Sequence, residues 1–382
     1  MSSYDRNECD MKTVPLLQKL VSIPSVFPNE LKLSQFIEVY LIKMNFQVIK
    51  ITTDKNRLNL VATNGKSRKY LGFYGHIDTV PPDKNYSFNP FTVKISHGIA
   101  RGLGVVDMKG GISVILKLAE YAKKNSLPVK LVFGVDEENI SQGAHDLVAS
   151  GLLKNIDFMI VAESGQVKNP SQPLSACFGR KGRFVFDIEV AGKKAHAAES
   201  SKGINALEKA SLLINEIKKI KLPADKYFGQ SDIIFQKISA ESDSFSIPDT
   251  CSLQLSLLTN SKVRSEFFIK KVCRIANKLN MKISIKPHIR NTPYGESYVI
   301  NTKNSFLQEI VGKIILPNKI TPIYTESVAD ENVFANRLKI PVLTMGAIGG
   351  GDHTKDEWVK IDSLEKLLYS YITILNLYNK HI

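Results

Sequence analysis

Two histidines and a set of carboxylates, each placed just after a run of apolar residues, carry the reactive chemistry of this chain. They are His76 and Asp78 in LGFYGHIDTV, Asp107 in GLGVVDMKGG, Glu137 and Glu138 in GVDEE, Glu163 in VAES and His353 in GAIGGGDHTKDE. Residues i and i+2 of an extended chain point the same way. His76 and Asp78 can therefore face one site, the imidazole offering one nitrogen to an ion while the carboxylate fixes the other. Nitrogen and oxygen donors without cysteine suit zinc, cobalt or manganese. One histidine per ion plus a shared carboxylate would make a two-metal site, which activates water and clamps both oxygens of a hydrolytic transition state. Glu137 and Glu138 are adjacent and point in different directions, so one can bind metal while the other serves as general base. Singly, each residue has a plainer reading: Asp107 as a helix cap, the glutamates as carboxylates favoured by a helix dipole, the histidines as surface groups. It is the ordered set that points to a site.

The elements around these residues support that grouping. Strand-like runs at 46–52, 59–63, 70–75, 129–135 and 158–161 alternate with helical periodicity at 33–44 and 111–124. Strands alternating with helices mean an α/β domain with a mixed, largely parallel sheet flanked by helices. In such sheets ligands sit at the carboxyl ends of strands, where His76, Asp78, Asp107, Glu137, Glu138 and Glu163 fall. Residues 77–98, with Pro81-Pro82 and Asn89-Pro90 as breakers, read as irregular. After Cys177–Arg183 the order becomes strand, helix, strand, strand, helix, strand, the split βαβ pattern of a ferredoxin-like α+β domain. This divides the chain into a catalytic domain of residues 1–178 and 291–382 and an inserted domain of residues 179–290.

At 382 residues the chain is longer than one core usually spans, consistent with two domains. No apolar run reaches the length of a membrane span, and the polar N-terminus MSSYDRNECD does not read as a secretory signal. Cys9, Cys177, Cys251 and Cys273 are scattered without metal or disulfide spacing, as expected of reduced thiols in a cytoplasmic protein. The net charge of +14 is spread along the chain rather than clustered. It reads as solvated surface, then as attraction for an anionic substrate, and not as a nucleic-acid footprint.

The motifs GHIDTVPP, GLGVVDMKGG, GVDEE, VAES and DHTKDEWV, in this order, resemble the acetylornithine deacetylase, succinyl-diaminopimelate desuccinylase, aminoacylase and carboxypeptidase G family of dinuclear-metal amidohydrolases. The likeness runs from LVSIPSV (20–26) to the last helix. It implies a zinc-exopeptidase-like catalytic domain holding two divalent ions, zinc first and cobalt or manganese as alternatives. The implied ligands are His76, Asp107, Glu138, Glu163 and His353, with Asp107 bridging and the Asp107–Met108 peptide cis. Glu137 is then the general base and Asp78 the residue orienting His76. The resemblance also implies that the inserted domain is a lid that makes a homodimer. In it, GKKAHAAESSKGINAL carries His196, which would reach the partner subunit's site and stabilise an oxyanion.

Substrate is less legible. Gly102-Leu103-Gly104 stands where the family has Gly-Arg-Gly, and SLQLSLLT lacks a charged residue expected near a substrate carboxylate. GRKGR keeps a basic element, so Arg180, Arg183 and Arg290 are the candidate carboxylate partners. The expected reaction is hydrolysis of an amide in a small anionic N-acyl amino acid or short peptide, without nucleic-acid or membrane partners. A dipeptidase or carboxypeptidase of the same family is one alternative. A non-catalytic basic binding protein on this scaffold is the other.

Overall fold

The strand Tyr70–His76 is buried at every position and lies between two parallel neighbours, Val129–Gly134 and Ile156–Val161. Strands covered on both faces read as continuous apolar runs rather than alternating ones, as FYG, LVFG and FMIV do. The computed structural model describes residues 12–54, 56–164, 171, 173–242 and 245–381. Cys9 and the polar N-terminus lie outside the described residues.

Val342–Met345 joins the sheet parallel to Ile156–Val161, and Arg57–Asn64 and Gln47–Asp54 extend it antiparallel beyond Val129–Gly134. The result is a mixed, largely parallel sheet with helices packed on it. One of these, Lys109–Lys124, begins two residues after Asp107. Its start approaches the sheet so closely that a Cβ on Gly111 would lie 2.2 Å from the Ala162 carbonyl oxygen. Only glycine lets this helix seat beside the strand end that leads to Glu163.

Residues 77–98 are less irregular than their prolines suggest. Lys94–Ser96 and Ile99–Arg101 form a hairpin that pairs with Trp358–Lys360 and then Gly349–Gly350 in a small four-stranded sheet. These strands are two or three residues long, too short for a period to show in the sequence.

The chain divides into two compact units, the first comprising Met1–Gly179, Val299–Ile323 and Ala329–Ile382 and the second Arg180–Tyr298 with Tyr324–Val328. The second holds an antiparallel sheet in the order Asp232–Ser239, Thr250–Thr259, Gly182–Ala191, Ile283–Pro287. Helices Ala206–Lys218 and Ser265–Lys278 pack on it through Leu213, Ile217, Phe268 and Val272 against Phe186, Leu253 and Leu255. Its limits differ from the sequence reading. The Arg183 amide donates to the Gly295 carbonyl at 2.9 Å and the Lys181 amide to the Thr325 carbonyl at 3.0 Å. Those bonds draw residues 291–298 and 324–328 into this unit.

Candidate metal centre

His76 is the last residue of its strand, and its Nε2 lies 3.0 Å from Asp107 Oδ1 and 3.1 Å from Glu163 Oε2. Glu163 follows the parallel neighbour Ile156–Val161 by two residues, so adjacent strand ends bring the pair together. His353 sits between Gly349–Gly350 and Trp358–Lys360 with φ of +62°, and its Nε2 lies 3.2 Å from Asp107 Oδ2 and 3.0 Å from Glu138 Oε2. The two oxygens of Asp107 thus face two different imidazoles, each imidazole having a second carboxylate beside it. Asp107 precedes a cis peptide bond to Met108.

The electrostatics are those of crowded carboxylates. Burial pushes Glu137 well above the usual carboxylate range, with Asp330, Glu163 and Glu138 adding to the rise and His76 opposing it. Burial and then the charge of Asp107 push Glu163 up to about 7, and burial raises Glu138 as well. Burial also works against Asp107, but bonds to His353 and His76 hold it well below the ordinary range. His353 is raised to about 11 by its bonds to Asp107 and Glu138. For His76, burial favours the neutral ring, yet Asp107, Asp78 and Glu163 together hold it well above the usual imidazole range.

Four carboxyl groups therefore share one site with two imidazoles, and a divalent charge among them would relieve the burial and mutual repulsion that raise Glu137, Glu138 and Glu163. Glu138 Oε1 is buried with no hydrogen-bond partner among the described residues, and such atoms in folded proteins commonly mark an ion or a water. One ligand atom from each of His76, Asp107 and Glu138 lies within 4.8 Å of the others. This donor set and its charge fit divalent cations.

Asp78 acts on His76 differently from the sequence reading. His76 Nδ1–H meets the backbone carbonyl of Asp78 at 3.1 Å, while the Asp78 carboxylate stands 3.6 Å away. The carboxylate is turned instead to the Glu138 amide, whose N–H it accepts at 3.0 Å. Asp78 thus leaves Nε2 of His76 facing Asp107 and Glu163 and also pins the backbone of Glu138.

The other candidates lie in the second unit. His196 is exposed, and its Nδ1 accepts the Ala198 N–H at 3.2 Å, which leaves Nε2 to carry the proton of the neutral ring. Arg180 is buried and donates to Ser327 Oγ at 2.6 Å, and exposed Arg183 donates to Ser256 Oγ at 3.2 Å. Arg290 is bound to the Thr292 and Pro293 carbonyls over the Tyr294 ring.

Three buried groups near the centre escape the sequence reading. Tyr74, two residues before His76, donates to Asp330. Arg57 reaches Asp136, and Glu357 reaches the turn before Asp107. Two of them stand in motifs already singled out, Tyr74 in LGFYGHIDTV and Glu357 in DHTKDEWV, but neither motif shows what the side chain touches.

Residues 72–377 match the model of peptidase family M20/M25/M40. The chain belongs to this family. It is a metal-dependent amidohydrolase, which removes the binding-protein alternative. Among curated relatives it is similar to a succinyl-diaminopimelate desuccinylase of Pelagibacter ubique, 27% identical over 96% of this chain and 98% of the relative. Among solved structures it resembles a tripeptidase from Staphylococcus aureus with a TM-score of 0.78, at 21% identity over 97% of this chain and 98% of that one. An M20 family metallo-carboxypeptidase from Sulfolobus solfataricus gives a TM-score of 0.74, at 16% identity over 96% and 99%. These neighbours share the α/β fold. Among the described residues, no helix is long and apolar enough to cross a membrane.

Proposed function

We propose that the enzyme removes an acyl group, succinyl or acetyl, from the nitrogen of a small anionic amino acid, with two divalent ions in the site. The observation that carries the two-ion reading is Asp107, whose Oδ1 and Oδ2 face His76 and His353 separately. His76 and Glu163 would hold one ion and His353 and Glu138 the other, with Asp107 shared. When bound, the ions supply Lewis-acid charge to the carbonyl and the attacking water, zinc being first choice and cobalt or manganese alternatives. The desuccinylase relatives, matched over almost their full length, favour the acyl-amino-acid substrate.

Glu137 has the proton task. It is half-buried beside Glu138 and Glu163, and that burial raises its carboxyl above the ordinary range, a setting in which a carboxyl can hold a proton between taking it and passing it on. It takes one from the attacking water and delivers it to the leaving amine nitrogen. His196, with Nε2–H free to donate, stabilises the oxyanion in the partner subunit of a homodimer. The edge strand Asp232–Ser239, which leaves Ile234 and Ile238 exposed, is a surface on which such a dimer could form. Arg180, Arg183 and Arg290 are the candidates for the substrate carboxylate, and the compartment is the cytoplasm.

A panel of N-succinyl, N-acetyl and dipeptide substrates, assayed after loading with zinc or cobalt, tests the reading. Turnover of N-acyl amino acids at least tenfold above dipeptides is expected. A preference for dipeptides or for C-terminal release would make the enzyme a peptidase, like the tripeptidase and the metallo-carboxypeptidase it resembles in fold.

A further inference from the structure

The carboxylate of Glu357 is buried and gathers three backbone donors from one turn: Gly104 N–H at 2.6 Å, Val106 N–H at 2.9 Å and Asp107 N–H at 3.2 Å. That turn leaves the strand Ile99–Arg101, and Glu357 directly precedes Trp358–Lys360. The two strands pair antiparallel with Arg101 opposite Trp358. The turn that carries Asp107 and the loop that carries His353 therefore leave the same end of the same ladder. Both turns are tightly defined. Gly104 has φ of +75° with Thr79 Cγ2 only 2.8 Å from where a Cβ would stand, and the Thr354 N–H closes back on the Gly351 carbonyl at 3.0 Å.

We infer that Glu357 is a positioning residue of the metal centre, clamping the Asp107 turn to the His353 loop so that the shared carboxylate and the late histidine keep their separation. A buried carboxylate is costly to desolvate, and the three amides converging on it offset that cost. Metal ligands must be held to within a fraction of an ångström, and supporting hydrogen bonds commonly set metal affinity. Glu357 touches neither the proposed ions nor the substrate and acts through the backbone of Asp107. The inference rests on Asp107 and His353 being ligands.

The test titrates cobalt into apo protein by calorimetry and visible absorption, for wild type, Glu357→Gln, Glu357→Asp and Asp107→Asn. Gln turns an NH₂ towards one of the three amide donors, and Asp keeps the charge but withdraws it from the turn. Each is expected to weaken cobalt binding roughly 10–100-fold and to change the cobalt spectrum, while the apo melting temperature stays close to wild type. Wild-type affinity and spectrum in folded Glu357 variants, beside loss of metal in Asp107→Asn, would overturn the clamp alone. Retention of metal by Asp107→Asn would remove the ligand assignment and the clamp with it. Failure of both Glu357 variants to fold, or a fall in melting temperature with unchanged affinity, would assign Glu357 to stability and not to the centre.

Discussion

Arg57 places Nη1 2.7 Å from Asp136 Oδ1, and Asp136 directly precedes Glu137 and Glu138, the proposed base and ligand. Its Nε and Nη2 bind Glu30 at 3.0 Å and 2.6 Å, and the guanidinium lies 4.6 Å from the Phe27 ring centre. Asp136 has φ of +75°, a conformation few residues adopt, and its other oxygen accepts the Gln142 N–H at 2.9 Å. The turn bearing Glu137, the proposed base, is thus tied to the body of the domain by a buried ionic network.

Removing Arg57 should expose how much that network contributes. Arg57→Ala leaves Glu30 and Asp136 buried without their cation, and a loss of about 3–5 kcal/mol in urea unfolding is expected. Adding Glu30→Gln to the same chain should restore part of it. A loss below about 1 kcal/mol would mean that water or protonation already relieves the two acids.

The adjacent glutamates should separate cleanly. Glu137→Gln keeps shape but cannot accept a proton, so turnover should fall roughly 10²–10⁴-fold with metal content unchanged. Glu138→Gln should lose metal instead. Elemental analysis of both variants beside steady-state kinetics decides it, and the opposite pattern would exchange the two roles.

His196→Ala should lower kcat roughly 10²–10³-fold, as loss of an oxyanion donor does elsewhere, and leave metal content and melting temperature alone. Mixing this variant with Glu137→Gln gives a sharper measurement. A heterodimer holds one site with an intact base and an intact partner histidine, so activity should partly return. No return after demonstrated subunit exchange would end the idea of action in trans.

Metal binding should release protons and weaken as pH falls. His353 is raised to about 11 in the ion-free site, so its ring is protonated at neutral pH and an ion must displace that proton. Calorimetry in buffers of different ionisation enthalpy should report net proton release, and affinity should rise with pH from 6 to 8. The same shift has a sign for the apo protein. A histidine raised in the folded state stabilises it fully below the unfolded value of 6.5, and this stabilisation is lost as pH rises towards about 11. Affinity independent of pH would remove His353 from the ligand set.

The long, periodic elements were legible from residues alone. Ala206–Lys218 and Ser265–Lys278 lie within two residues of the apolar patterns at 205–220 and 263–279, and the buried parallel strands stand out as unbroken apolar runs. Asp330–Leu338 was not foreseen because its first turn buries Asp330, Glu331 and Asn332, which invert the expected pattern of polar outside and apolar inside. Thr321–Thr325 was missed because Pro322 stands within it. At the site, residues whose own side chains point inward from strand ends could be grouped by type and order. Glu357 and Arg57 could not, because a buried acid anchoring distant backbone amides and an arginine joining two acids look like surface charge until the partners are known.

Glu357 and His353 come from the last part of the chain, after the whole of Arg180–Tyr298 has been made. The centre draws on contacts between residues very far apart in sequence, and such contacts form late because the intervening chain must first be closed into loops. During synthesis, His76, Asp107, Glu138 and Glu163 leave the ribosome long before their last partners. A growing chain carries the three residues proposed for one ion but lacks His353, so the set proposed for the second ion is complete only when the last segment of the catalytic unit has been made.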